Sequence, residues 1–261
     1  MSNQLTTEKI TSDLLRSIRL NKSFLVWVGF LGTALLVCLY AYFLQLRDGM
    51  VVTGLGDYVS WGMYLSNFVF FVATSLVGML ISAVLSLSGQ KWAAPLARIS
   101  EIIALAFAAV AGLVIVMDMG RPERLLNVFI HGRIQSPIVW DVTVITIYMV
   151  ISALFLYIPL IPDLKIIHDK AGNLPPFARK IYQVLSLNWN DTPAQRELVK
   201  KSTRIISIFI VPVALAIHTV TSWLFANTSR PGWDSTIFGP YFVTGAFVSG
   251  CAAVIIAMYF F

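Results

Sequence analysis

YVSWGMYLSNFVFFVATSLVGMLISAVLSL, residues 58–87, runs its whole length without one Asp, Glu, Lys or Arg. A helix needs about 20 apolar residues to cross a hydrocarbon layer, so this stretch is long enough for one span. Its excess length implies a tilt, or a first turn lying in the interface. The apolar residues are continuous instead of alternating, which excludes a β-barrel strand.

Five more stretches read the same way. The predicted spans are Phe24–Gln45, Tyr58–Leu87, Leu96–Met117, Pro137–Pro162, Thr203–Ala226 and Gly239–Phe261. Composition agrees. Of the 261 residues, 57% are hydrophobic and 12% are charged, against about 25% charged in soluble domains. Mean hydropathy is +0.78. The expected fold class is therefore all-α: a polytopic membrane protein of about six transmembrane helices.

Charge orients the chain. Lys9, Arg16, Arg19, Lys22, Lys91, Arg98, Lys165, Lys170, Arg179, Lys180, Arg196, Lys200, Lys201 and Arg204 fall on one side of the spans. Arg47, Arg121, Arg124, Arg133 and Arg230 fall on the other, a split of 14 against 5. The positive-inside rule places the first set in the cytoplasm. Both termini are then cytoplasmic, in a multi-pass protein of the cytoplasmic membrane. The net charge of +6 needs no nucleic acid to explain it. The segment before the first span is long, polar and of mixed charge, unlike a cleaved signal peptide. Cys38 and Cys251 lie in separate predicted spans and suggest neither a disulfide nor a metal site.

The organisation follows from the loops. Residues 1–23 form a cytoplasmic arm, and 24–162 a first bundle of four helices. Residues 163–202 form a cytoplasmic linker with one short interfacial helix near Ile181–Leu187. Residues 203–261 begin a second bundle. Two outer loops, 118–137 and 227–242, mix Arg, Asp, Gly and Pro with aromatic residues. Such content suggests ordered loops that dip into the membrane or dock on a partner.

Polar residues inside spans are costly and so carry information. Ser60, Tyr64 and Asn67 share one face of the second helix, in its outer half. Asp118 ends the third helix and Asp141 sits one turn into the fourth. His218 lies about 13 Å inside the fifth, at 1.5 Å per residue, with Ser222 one turn on. Tyr64, Asn67, Asp118, Asp141 and His218 thus fall at similar depth from four helices. Each has a plainer reading: an interfacial Tyr, an Asn bonding between helices, a solvated Asp118. Asp141 and His218 are the hardest to read as packing alone. Glu101, near the inner end of the third helix, reads as a snorkelling interface residue, with a proton relay as the alternative.

A carboxylate and a histidine at the mouth of a bundle can bind the carbonyl oxygens of a quinone and exchange protons with it. Bis-histidine haem ligation needs a second histidine in a span, and His131 and His168 lie in loops. The same shortage argues against a metal site. A secondary transporter, with Pro212 as a helix break, and a passive anchor for a soluble enzyme stay open as alternatives.

Several stretches then carry a resemblance: GDYVSWGMYLSNFVFFVATSLVGMLISAVL (56–85), MDMGRPERL (117–125), SPIVWDVTVITIYMVISALFLYIPLIPDL (136–164), IHTVTSWLF (217–225) and RPGWDSTIFGPYFVTGAFVSG (230–250). The chain resembles the NrfD-like family, which includes the membrane subunits of polysulfide reductase and alternative complex III. The resemblance implies a subunit without redox centres, haem or metal of its own and not catalytic alone. It implies electron exchange between quinone (menaquinone or ubiquinone) and a periplasmic iron–sulfur subunit. A molybdopterin enzyme or multihaem cytochrome stands behind that subunit in several complexes. Carried over, Asp141 and His218 would bind quinone, with Tyr64, Asn67 and Asp118 lining the site and Arg121 ordering the GRP turn or holding a carboxylate. Arg230, Trp233 and Asp234 would shape the loop facing the partner. Membrane subunits of alternative complex III have His at the Asp118 and Asp234 positions and an acidic residue at Leu224, so a proton route through those groups is not implied here. Family members commonly have eight or more helices, which leaves truncation at Phe261 open.

Overall fold

Each predicted span becomes a helix in the computed structural model, which describes residues 21–56, 61–89, 92, 94–170, 175–228 and 230–260. The main helices are α1 (Lys22–Asp48), α2 (Met63–Ser88), α3 (Ala94–Asp118), α4 (Pro137–Lys170), α5 (Pro176–Leu185), α6 (Pro193–Ala226) and α7 (Phe238–Phe260). All except α5 are long and apolar enough to cross a membrane. No strand occurs among the described residues. The protein is an all-α, polytopic membrane protein. Most of the N-terminal arm, with Ser60 and Lys91, lies outside the described residues.

Helix boundaries differ from the apolar runs in an instructive way. α2 starts at Met63 instead of residue 58, and Trp61 and Gly62 lead into it as extended chain. α4 and α6 each have 34 residues, about 51 Å of helix against a hydrocarbon core of about 30 Å. They therefore take up both ends of the predicted linker. Helical hydrogen bonding does not stop where apolar composition stops. Lys165 and Asp169, one turn apart and 3.0 Å from each other, support the polar extension of α4. A capping box starts α6: the Thr192 Oγ1 accepts from the Gln195 amide at 3.3 Å, and Gln195 Oε1 accepts from the Thr192 amide at 3.3 Å. Pro193 follows at the first helical position, where its missing N–H costs nothing.

Two compact units divide the chain, residues 1–43 with 157–200 and residues 44–156 with 201–261. In the second, α2 packs most closely on α3 and then on α7. Small residues permit this. Ala104, Ala108 and Ala111 repeat along one face of α3 and are buried. A Cβ on Gly78 would stand 2.7 Å from the Ser100 carbonyl oxygen and 2.9 Å from the Ala104 Cβ. On the other flank, a Cβ on Gly250 of α7 would collide with Val77. Tyr148 and Phe155 of α4, with Ile210, Ala214 and Ile217 of α6, complete this core.

Polar groups inside the core are mostly matched. Ser75 Oγ lies 2.7 Å from Tyr148 Oη and 2.7 Å from the Ala104 carbonyl. Ser82 Oγ donates to Glu101 Oε1 at 2.5 Å. Glu101 is buried, which corrects its reading as an interface residue. The tight contact of α3 on α2 reaches down to its first turns and covers the carboxylate.

Candidate functional site

The end of this unit that carries Trp61, Asp118, Pro137, Ala226 and Phe238 collects most of the candidate side chains. One group lies inside. Asp141, one turn into α4, is 6% exposed, and Thr221 Oγ1 of α6 donates to its Oδ1 at 2.5 Å. That bond ties α4 to α6 by a charge-capable pair shielded from lipid. His218 precedes Thr221 by three residues, so both fall on one side of α6. Its side chain is fully covered, and among the described residues neither ring nitrogen has a well-formed hydrogen bond. The Ala214 backbone one turn back interacts with the imidazole. A buried imidazole without well-formed hydrogen bonds is expensive, and native proteins retain such groups rarely.

A second group forms an aromatic chamber. The loop after α6 turns at Gly232, with φ of 90°, a backbone state that suits glycine. The turn brings Trp233 onto Trp61, with rings stacked 5.0 Å apart. Arg230 stands with its guanidinium carbon 5.3 Å from the Trp61 ring centre and 5.9 Å from that of Trp233, within cation–π range. Phe225, Phe238 and Phe242 continue the chain of rings. Together they wall a cavity of about 500 Å³ whose floor includes Leu65, Ser66 and Val69. That size suits a small organic ligand. Phe242 belongs to the cavity wall and also lies 5.9 Å from the His218 ring. The chamber and the polar pair are thus one ring apart.

A third group sits at the ends of α1, α2 and α3. Tyr64 Oη donates to Gln45 Oε1 at 2.7 Å, and Gln45 Nε2 donates to the Met117 carbonyl at 2.6 Å. Gln45 is the buried residue of α1.

The structure therefore sorts the sequence candidates. Thr221 bonds to Asp141 and stands one turn from His218 on α6. Tyr64 turns to Gln45. Asn67 is exposed on the surface of α2, and Asp118 is half-buried at the end of α3. Arg121 is exposed, and its backbone amide donates to the Met119 carbonyl at 2.7 Å in the GRP turn. Arg230 and Trp233 line the chamber while Asp234 is exposed. Sequence reasoning missed Trp61, Phe225, Phe238 and Phe242, because an aromatic residue in a membrane helix is ordinary by composition. It also missed Thr221, whose only sequence signal was its place one turn from His218.

Comparison with known proteins now bears on this geometry. Residues 51–261 match the family model described as polysulphide reductase, NrfD. The chain belongs to the NrfD family. Within it, the chain is 29% identical over 231 residues to a Halobacterium salinarum protein named as a putative dimethyl sulfoxide reductase membrane subunit, covering 88% of this chain and 50% of that one. It is 24% identical over 250 residues to a selenate reductase subunit of Mesobacillus selenatarsenatis, covering 93% and 57%. It is 28% identical over 171 residues to the integral membrane subunit of menaquinone reductase from Nitratidesulfovibrio vulgaris, covering 59% and 39%. The chain spans about half the length of the curated relatives it matches. Both loops of the site and all its helices from α2 onward fall inside the matched region.

Proposed function

We propose that this NrfD-family chain is the quinone-reactive membrane subunit of a multi-subunit oxidoreductase. The quinone head group occupies the aromatic chamber, and Asp141 with His218 serves its proton exchange. The observation that carries this reading is the fully buried His218 one ring away from an open cavity. A quinone is planar and aromatic, so stacked Trp and Phe side chains suit it. Arg230 beside the rings offers a donor for a carbonyl oxygen and favours negative charge that develops there during reduction. Reduction to quinol consumes two electrons and two protons. Electrons pass between the quinone and an iron–sulfur partner docked on the Arg230–Asp234 loop, with a larger redox enzyme behind it.

The relatives named as subunits of reductases support this placement, and the one named for menaquinone supports a quinone as substrate. The excess of Lys and Arg on the opposite face supports an outward, periplasmic position for the chamber in the cytoplasmic membrane. Tyr64 and Gln45 brace the helix ends beside it. Against a transporter reading, α6 continues unbroken through Pro212, whereas transporter sites use discontinuous helices.

The test uses the purified complex and measures quinol oxidation or quinone reduction. Asp141→Asn and His218→Ala should lower turnover at least tenfold while the complex stays assembled. Thr221→Val, which removes the donor to Asp141, should lower it about five- to tenfold, as expected for a lost hydrogen bond of about 1 kcal/mol. Unchanged turnover in all three variants refutes the assignment.

A further inference from the structure

The wall of the chamber is aromatic or aliphatic except at two places. Besides the two indoles, Ser66 of α2 and Arg230 of the loop after α6 are its polar side chains among the described residues. They stand at different depths. Arg230 lies in the outer loop, 5.3 Å and 5.9 Å from the ring centres of Trp61 and Trp233. Ser66 lies in the first turn of α2, four residues past the N-cap Gly62, which puts it about 6 Å further along the helix.

Both groups can serve a ligand. A guanidinium carries five N–H donors, and contact with a ring does not consume them. The Ser66 hydroxyl sits 3.4 Å from the Gly62 carbonyl oxygen, and the Ser66 amide already donates to that same oxygen at 3.3 Å. A separation of 3.4 Å is long for an O–H···O bond. The hydroxyl is therefore loosely held, on an exposed side chain that borders the cavity. Val69, one turn further in, is apolar, so Ser66 is the innermost polar side chain of the wall.

Two hydrogen-bonding groups at two depths, with aromatic rings between them, fit a flat ring that carries an oxygen at each end. A para-quinone has that form, whereas an ortho-quinone carries both oxygens on one edge. We propose that Ser66 is a head-group ligand and forms the inner end of a clamp that selects para-quinones. One carbonyl oxygen accepts from Arg230 and the opposite one accepts from Ser66 Oγ. The inference rests on the quinone reading of the chamber. Ser66 can also reverse its role on reduction, donating to the quinone carbonyl and accepting from the quinol hydroxyl, while Arg230 only donates.

Infrared difference spectra of the purified complex test the clamp, with a short-chain para-naphthoquinone labelled with carbon-13 at one carbonyl or the other. In the parent, both carbonyl bands should lie below their position for the unbound quinone. Ser66→Ala should return one band to the unbound position and leave the other in place. It should raise KM about fivefold with kcat nearly unchanged, as loss of a neutral hydrogen bond made equally in ground and transition states does. Ser66→Thr keeps the hydroxyl and should restore band and KM. Arg230→Lys should move the opposite band alone. Parental bands and KM in Ser66→Ala overturn the role of Ser66, and movement of the same band in both variants overturns the two-ended clamp. The quinone reading fails separately, through parental turnover in Asp141→Asn and His218→Ala, and a parent complex that shows no bound quinone overturns both.

Discussion

His218 is buried without a well-formed hydrogen bond at either ring nitrogen among the described residues, so under the proposed function its contribution to folding is opposite in sign to its contribution to activity. An apolar replacement removes the desolvation cost of two unsatisfied polar atoms, about 1–3 kcal/mol. His218→Leu in the purified complex should keep or raise the melting temperature while quinone turnover collapses. A clear fall in melting temperature would show instead that the imidazole is a structural bond. The two residues of this pair were legible in the sequence because ionisable groups inside an apolar run stand out. Their partners were not. Gln45 sits at the last position of its apolar run, Thr221 resembles any helix Thr, and both gain meaning only from a neighbour far along the chain. Trp61 and the three chamber phenylalanines were hidden for the opposite reason, since lipid-facing and site-facing aromatics look alike in sequence.

Helix packing in the core depends on missing side chains. Gly250→Ala places a methyl against Val77 and 3.2 Å from the Ala73 carbonyl oxygen, so overpacking should cost about 1–3 kcal/mol. Gly245→Ala, on the same helix with nothing within 4 Å, should be neutral or slightly stabilising. Thermal unfolding of the two variants in detergent separates them, and equal melting temperatures would contradict the contact. The turn before α6 offers a pH test. The hydrogen bond from Arg196 holds the Asp191 carboxyl below the usual carboxylate range. A lowered folded value means that the bond supports the turn fully above the usual range and is lost as pH falls from there through the lowered value. Cleavage in the 187–192 turn by an acid-active protease should therefore rise with acidification, and Asp191→Asn should remove most of that dependence. Both charges are exposed, at 64% and 59%, so added salt should shrink the effect. Helix number and order were readable from apolar length. The ends of α4 and α6 were not, because capping and ion pairs extend a helix into water, where hydropathy gives no signal.

For the molecule as a whole, the distribution of Lys and Arg predicts an orientation that the helix bundle alone does not. Asn190 and Thr236, as targets for Asn190→Cys and Thr236→Cys, are exposed positions that precede and follow α6 in the chain. In intact cells with the native cysteines replaced, an impermeant maleimide should label position 236 and reach 190 only after permeabilisation. The reverse pattern would invert the topology and move the chamber to the cytoplasmic face. The stacked pair of Trp61 and Trp233, 5.0 Å apart with planes 18° from parallel, has an optical consequence. Two indoles so close share their excited states, so the pair contributes an exciton couplet to the circular dichroism spectrum. On the proposed function, a quinone entering beside them would accept energy or an electron from the excited rings. Occupancy of the proposed site could then be followed by light without any label.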